Sequence, residues 1–555
     1  MKYKNGIQLN GIRDIPLVVA LSVMFLIVFI LERAVLDNTD FVFMYPLDDP
    51  FIHMQIARNL ALHGVWGINA QEFASASSSL LYTVLLAAIF KIFLFHAAVP
   101  FIINCVAAGW LFIGINNWLR KQQMAAVART TVLLLLVFFV PMPVMIISGM
   151  EHTLQCLFCF LFIVHFSDWL QATDRALPGP ATPMPWKIYV LAILVIALRY
   201  EGMFLIAAAC LLLLYRRKLI PALLLGFTAL LPVIVFGVYS LSVGSYFFPN
   251  SVLIKSESAP LSLQGLASFL YNIAVNKLTI VKPEMAAVGT PPPGISLLVT
   301  QRLLIILPLT ALLFIQQLKE PLNYLYILLL LSVCTLFHLS FASTGWFYRY
   351  EAYLIVCSLV PIFLLFYKYG KGFVMQWSSL HLRILLAVLL FALFFPFVIR
   401  STAAYSKATR ACINIYQQQY QMAAFTKAHY NNSAVAANDI GAVSFFTDAS
   451  IVDLWGLGSI TVAKSRKNKY WTPQFLDSLA RVKNVKVAIV YDEWFDPQLL
   501  ARWKKVATWK IPNNVICGSD TVCFYALDED SRRLLLQNLK KFETSLPKPV
   551  SVSYR

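Results

Sequence analysis

Four short stretches of this chain set carboxylates and arginines side by side: "LDDPFIH" at 47–53, "SGMEH" at 148–152, "ALRYEGM" at 197–203 and "STGWFYRYE" at 343–351. Asp48 and Asp49 are adjacent carboxylates, and like-charge repulsion with desolvation raises the pKa of at least one, which suits a general base. Glu151 is a third carboxylate able to orient the same reacting hydroxyl. Arg199 and Arg349, with Lys255 in "FPNSVLIKS", are the cations that would hold a phosphate and stabilise charge growing on it. Each has a plainer reading. Asp49 before Pro50 is how a helix begins, with Gly64 near its end, and Glu151 opens the next helix on the favourable side of its dipole. Arg199 with Glu201, and Arg349 with Glu351, are ion pairs that tie helices together. The aromatic group around Tyr348 is an interfacial belt or a platform for a sugar ring.

The elements that must position these residues are membrane helices. Of 555 residues 59% are hydrophobic and 13% charged, and the mean hydropathy is +0.70, which excludes a water-soluble protein. The net charge of +18 does not mark a nucleic-acid partner, because Lys and Arg recur in small groups between apolar runs. That is the positive-inside pattern. Apolar runs lie at 15–31, within 78–119, and near 130–148, 153–170, 187–198, 203–215, 219–240, 301–317, 322–341, 352–367 and 384–400. Taking 78–119 as one crossing, preceded by a surface-lying or re-entrant helix near 78–94, puts Arg120, Lys121, Arg129, Arg216, Arg217 and Lys218 inside and gives about 11 spans. The first run is an uncleaved signal anchor with a cytoplasmic N-terminus. The four polar stretches and the C-terminal segment then share the outer face. The runs at 187–198 and 203–215 are short for full crossings, so Arg199 and Glu201 between them must line a cavity or be paired.

Residues 401–555 hold no spanning run and alternate short β-branched runs with turn residues. The expected architecture is an all-α polytopic membrane domain over 1–400, with an outer loop at 37–77 carrying the DD pair, followed by an extracytoplasmic α/β domain over 401–555. No cysteine spacing suits zinc. Cys517 and Cys523 bracket "GSDT" and are expected to form a hairpin disulfide.

The stretch "LDDPFIHMQIARNLALHGVWGINAQEF" resembles the first outer loop of GT-C class glycosyltransferases, polytopic enzymes that use polyprenyl-phosphate sugars, closest to their arabinofuranosyltransferase-like branch. Asp48, Asp49, Phe51, Ile52, Arg58, Asn59, Leu60, Gly64, Gly67, Asn69 and Glu72 carry the match. "SGMEHTL", "ALRYEG", "YFFPNSVLIKS", "RYEAYLIVCSLVP" and "NDIGAVSFFTDASIVDLWGLG" follow in the same order, so the resemblance covers nearly the whole chain. "FASASSSLLY" after Glu72 and Tyr200 after Arg199 depart from the pattern. The resemblance implies an inverting transfer on the periplasmic side of a bacterial inner membrane. Asp48 would be the base, and Asp49 and Glu151 would orient the acceptor or carry a metal. Arg199, Arg349 and Lys255 would hold the donor phosphate, and His53, Arg58, Asn69, Glu201, Tyr348 and Asn250 would touch substrate. Its partners would be a polyprenyl-phosphate sugar donor, a glycan or lipid-linked glycan acceptor and the bilayer. No cofactor is assigned; some members use a divalent cation and others none. Two other classes fit parts of the pattern. A transporter or flippase would also use Arg/Glu pairs and an interrupted helix pair, and a non-catalytic scaffold of envelope assembly would explain the altered "FASASSSLLY".

Overall fold

The computed structural model describes residues 14–555 except 94, 176–182, 251–267, 269–270, 279–292, 320 and 376–378. Eight of its helices are long and apolar enough to cross a membrane: Ile15–Leu36, Val99–Lys121, His152–Asp174, Leu219–Ser242, Gly294–Leu313, Leu322–Phe341, Ala352–Lys371 and Arg383–Tyr430. Four shorter apolar helices, Leu80–Ile92, Ala126–Phe139, Trp186–Leu198 and Gly202–Tyr215, pack among them. Leu223, Phe227, Val235 and Phe391 are more than half exposed, the outward apolar surface that a bilayer covers. A helix, Leu80–Ile92, stands where one was expected near 78–94, capped by Ser79, whose hydroxyl accepts the Tyr82 amide. The short pair 186–198 and 202–215 is broken at Arg199, which takes an extended conformation (φ −151°, ψ 135°).

Basic residues gather at one end of the bundle. Asp14 accepts from Arg129 at 2.7 Å and lies 3.6 Å from Arg120; Lys121 pairs with Asp168, Arg216 with Asp174, and Lys368 donates to Tyr324. The helix that begins at His152 ends beside these groups, so the polar stretches at 48–49, 151, 199 and 349 lie at the opposite end. Reporter fusions after residues 125 and 216 are expected to read cytoplasm and fusions after 60 and 450 the outside. A cytoplasmic signal at 450 would overturn this orientation.

The Leu380–Ile415 helix runs on through a π-helical turn, Tyr416–Tyr420, into Gln421–Tyr430. It carries the chain out of the bundle into a six-stranded sheet of order β2-β1-β3-β5-β4-β6. β1 (Ala434–Ala437) is parallel to β2 (Ser450–Asp453) and β3 (Val485–Val490); β5 (Thr521–Ala526), β4 (Lys504–Lys510) and β6 (Ser551–Tyr554) join antiparallel. Strand alternation divides the core. Phe524 and Trp509 pack on one face against Phe425 and Phe542, whereas Cys523 and Tyr525 face Trp503 and Leu476 on the other. That division corrects the expected disulfide. Cys517 packs with the first face and donates its thiol to Gln419, Cys523 sits in the second, and both are free. Denatured, unreduced protein is expected to alkylate at both positions, by intact mass.

Candidate functional site

The helix Asp49–His63 starts with Pro50 in its first turn and ends on Gly64 in the left-handed conformation (φ 68°). Its two leading carboxylates part company. Asp48, just before the helix, makes no side-chain bond to it. Its oxygens accept instead from the amides of Gly441 (2.6 Å) and Ala442 (2.8 Å), the first residues of the Gly441–Phe445 helix of the sheet domain. The fit admits no side chain there, because a Cβ on Gly441 would lie 2.2 Å from the Asp48 carbonyl oxygen. Burial, and then the neighbouring Asp439, hold the Asp48 carboxyl well above the usual carboxylate range, outweighing the two amides. Asp439 is raised by burial as well, although Tyr491 (2.7 Å) and Gln419 (2.9 Å) both donate to it.

A folded-state pKa above the unfolded one means the native chain binds a proton the unfolded chain releases. The contribution to stability is complete below the ordinary carboxylate pKa and is lost as pH rises through the raised value. Melting temperature is therefore expected to fall between about pH 4 and alkaline pH, and Asp48→Asn to flatten that slope. An unchanged slope in the variant would show that Asp48 does not titrate at this seam.

Asp49, expected as a helix cap, is the first helical residue and pairs with Arg349. Arg349 reaches it through an unusual turn. Gly345, Trp346, Phe347 and Tyr348 all have positive φ (88°, 39°, 57° and 62°), a left-handed run that costs about 1–2 kcal/mol for each non-glycine residue. Glu351 holds the turn: it accepts from the Gly345 amide at 2.8 Å and from Arg400 Nε at 2.8 Å, while Arg400 also donates to the Tyr348 carbonyl. The expected Arg349–Glu351 pair is thus replaced by two others, Arg349–Asp49 and Arg400–Glu351. Arg349 is 1% exposed, yet among the described residues its Nε and Nη1 have no hydrogen-bond partner.

Arg199 sits across the same space. It donates to Glu151 (2.8 Å), to Glu201 and to Ser78 (3.1 Å). The guanidinium carbons of Arg199 and Arg349 lie 5.4 and 5.3 Å from the centre of the Tyr350 ring, which also stacks on His152. His53 bonds Ser77 (3.1 Å) and Thr83 (3.3 Å), and its Nε2 is 4.0 Å from Glu151. Burial pushes this imidazole down, towards the neutral form. Glu151 Oε2 and both side-chain polar atoms of Asn250 are buried without a hydrogen bond among the described residues. A buried arginine, carboxylate and amide with unmet polar atoms are what a bound polar group would satisfy.

The structure therefore brings Asp49, His53, Glu151, Arg199, Glu201 and Arg349 into one cluster. Other expected site residues serve elsewhere. Asn69, expected on substrate, bonds both ways to the Ile451 backbone of β2 at 2.9 Å, and Arg58 pairs with Asp448 at 2.9 Å. Both clasp the sheet domain. Tyr348 is buried beneath Arg400 rather than in an aromatic belt. Lys255 lies outside the described residues. Sequence reasoning missed Tyr350, Arg400 and Asp439; Asp439 stands in the "NDIGAV" string, whose match assigned it no role. For a divalent cation the fit is poor. Asp49, Glu151 and Glu201 face arginines and Asp48 faces amides, and among the described residues no three His, Cys, Asp or Glu side chains form a ligand set. A mostly apolar groove of about 570 Å³ between Phe139 and Tyr405 is lined by none of these cluster residues.

A family model described as Domain of unknown function (DUF8728) matches residues 413–525. No curated protein sequence matches the chain. Among solved structures it is similar to the archaeal oligosaccharyltransferase AglB from Archaeoglobus fulgidus, in complex with an inhibitory peptide and a dolichol-phosphate. The identity is 12% and the TM-score 0.49, over 93% of this chain and 75% of that chain.

Proposed function

We propose that the protein is an inverting membrane glycosyltransferase that moves a sugar from a polyprenyl phosphate to an envelope acceptor on the outer side of a bacterial inner membrane. The observation that carries this reading is Arg349, buried with two unpartnered nitrogens, facing Asp49 and sharing the Tyr350 ring with Arg199. A phosphate needs such donors, and its lipid tail brings it to this depth. The ordered motif resemblance supports the same chemistry. With Ala126–Phe139, Trp186–Leu198 and Gly202–Tyr215 counted as crossings beside the eight long helices, the bundle has eleven spans.

In this mechanism the donor phosphate takes Arg349, which turns its charge from Asp49 to the leaving group. Asp49, a quarter exposed, is then the base that accepts the proton of the acceptor hydroxyl. The hydroxyl oxygen attacks the anomeric carbon, the bond from that carbon to the phosphate oxygen breaks, and polyprenyl phosphate departs with the electron pair. Arg199 and Arg349 stabilise the charge it acquires, and Glu151, fixed by Arg199, orients the acceptor. Asp48 holds the sheet domain over the site and is not the base.

Purified protein incubated with radiolabelled polyprenyl-phosphate sugars and envelope extract tests the reading. Transfer that disappears in Arg349→Ala supports it. Vectorial movement of the lipid in liposomes without bond cleavage would replace it with a transporter.

A further inference from the structure

A polar cavity lies along the Asp49–His63 helix at Arg58, nine residues or about 14 Å from Asp49. Its volume is about 440 Å³, and it opens between the membrane bundle and the sheet domain. Val42 and Phe43 follow the end of the Ile15–Leu36 helix, and Phe95 to Ala97 precede the Val99–Lys121 helix, so two spanning helices emerge at its level. That is headgroup depth. Of its lining Phe95 is 38% exposed, and the chain leading to the lining is apolar and outward, with Phe41 just before Val42 67% exposed and Ile92 and Phe93 just before Phe95 74% and 67% exposed.

The lining pairs rings with cations. Phe43, Phe95 and Phe446 line it together with Arg58, His96 and Lys427; the Arg58 guanidinium lies 5.9 Å from the centre of the Phe95 ring and engages Asp448, the carboxylate in the lining. His96 Nδ1 accepts the Ala98 amide at 3.1 Å, so the ring presents Nε2–H as a donor. Lys427, on the helix that links bundle and sheet, is exposed. Rings able to meet acyl chains, interleaved with cations able to meet an anion, describe one kind of occupant.

We propose that this cavity binds the phosphate headgroup of an anionic membrane lipid, at the seam where the sheet domain meets the bilayer. It is distinct from the Arg199–Arg349 cluster, and its occupancy needs no transfer reaction.

The test is lipid retention by the full chain, purified in detergent and measured by native mass spectrometry. The probes are dioleoyl phosphatidylglycerol and dioleoyl phosphatidylcholine, presented separately and then with inorganic phosphate as competitor. Phosphatidylglycerol is expected to be retained preferentially. Lys427→Gln should lower that preference about fivefold, as each basic group near an anionic lipid contributes, and His96→Gln should add to the loss. Lys427 is exposed, and the Gln side-chain oxygen can take over the bond that His96 accepts from the Ala98 amide, so the melting temperature should hold. Phe95→Ala should weaken both lipids alike. Equal retention of the two lipids, a Lys427→Gln variant that keeps the preference, or full displacement by millimolar inorganic phosphate would each overturn the proposal.

Discussion

Arg400→Leu is expected to leave little correctly folded protein, at a cost of about 3–5 kcal/mol, because it strands the Glu351 carboxylate in the interior. Both side chains of the pair are fully buried, and Arg400 Nε meets Glu351 at 2.8 Å. Its guanidinium also reaches the carbonyls of Tyr348 and Phe139, so three elements loosen together. Glu351→Gln in the same chain removes the stranded charge, and the double variant should recover much of the lost stability, the coupling that a double-mutant cycle measures. Recovered fold should not bring recovered function. Without the Glu351 carboxylate and Arg400, nothing offsets the left-handed run through Trp346, Phe347 and Tyr348, and Arg349 loses its aim at Asp49. Melting of the detergent-purified protein gives the first half of this expectation and polyprenyl-phosphate binding the second. A single variant that melts with the wild type would show that the pair does not close the turn.

The sequence spoke most clearly where physics is local. Apolar runs mark spanning helices, the interruption at Arg199 marks the break between two short ones, and Gly64 ends the Asp49–His63 helix. It spoke least clearly about partners. Arg349 stands two residues from Glu351, and adjacency suggests a pair; the left-handed turn separates them and gives Glu351 to Arg400 and Arg349 to Asp49, 300 residues away. Arg58 and Asn69 lie in the same motif as the acidic pair and so read as substrate contacts. Their actual partners, Asp448 and Ile451, come 390 and 382 residues later in a domain whose placement no pattern in the first loop encodes. The partners of Asp48, expected as the base, were hidden for the same reason: its carboxyl accepts the Gly441 and Ala442 amides, 393 and 394 residues later. A carboxylate that caps another domain's helix looks in sequence like one free to act.

That distinction gives the last prediction, in which the two adjacent carboxylates separate by assay. Asp49→Asn removes the proton acceptor while keeping size, and turnover is expected to fall about 10²- to 10⁴-fold. Donor binding should hold or tighten, because Arg349 no longer divides its charge between Asp49 and the phosphate. The Asn oxygen can still accept from Arg349, so the chain should fold, but the melting temperature is expected to drop because the buried Arg349 loses its ion partner. Asp48→Asn is expected to act chiefly on the fold. Its amide nitrogen would face the Gly441 and Ala442 N–H groups where the carboxylate now accepts both, so the sheet domain loosens and the melting temperature falls. Transfer falls only as far as the domain is displaced, and Gly441→Ala, which leaves both carboxylates in place but obstructs the same seam, should mimic it. If Asp48→Asn instead abolishes transfer with an unchanged melting temperature while Asp49→Asn turns over normally, Asp48 is the base and the seam is incidental to it.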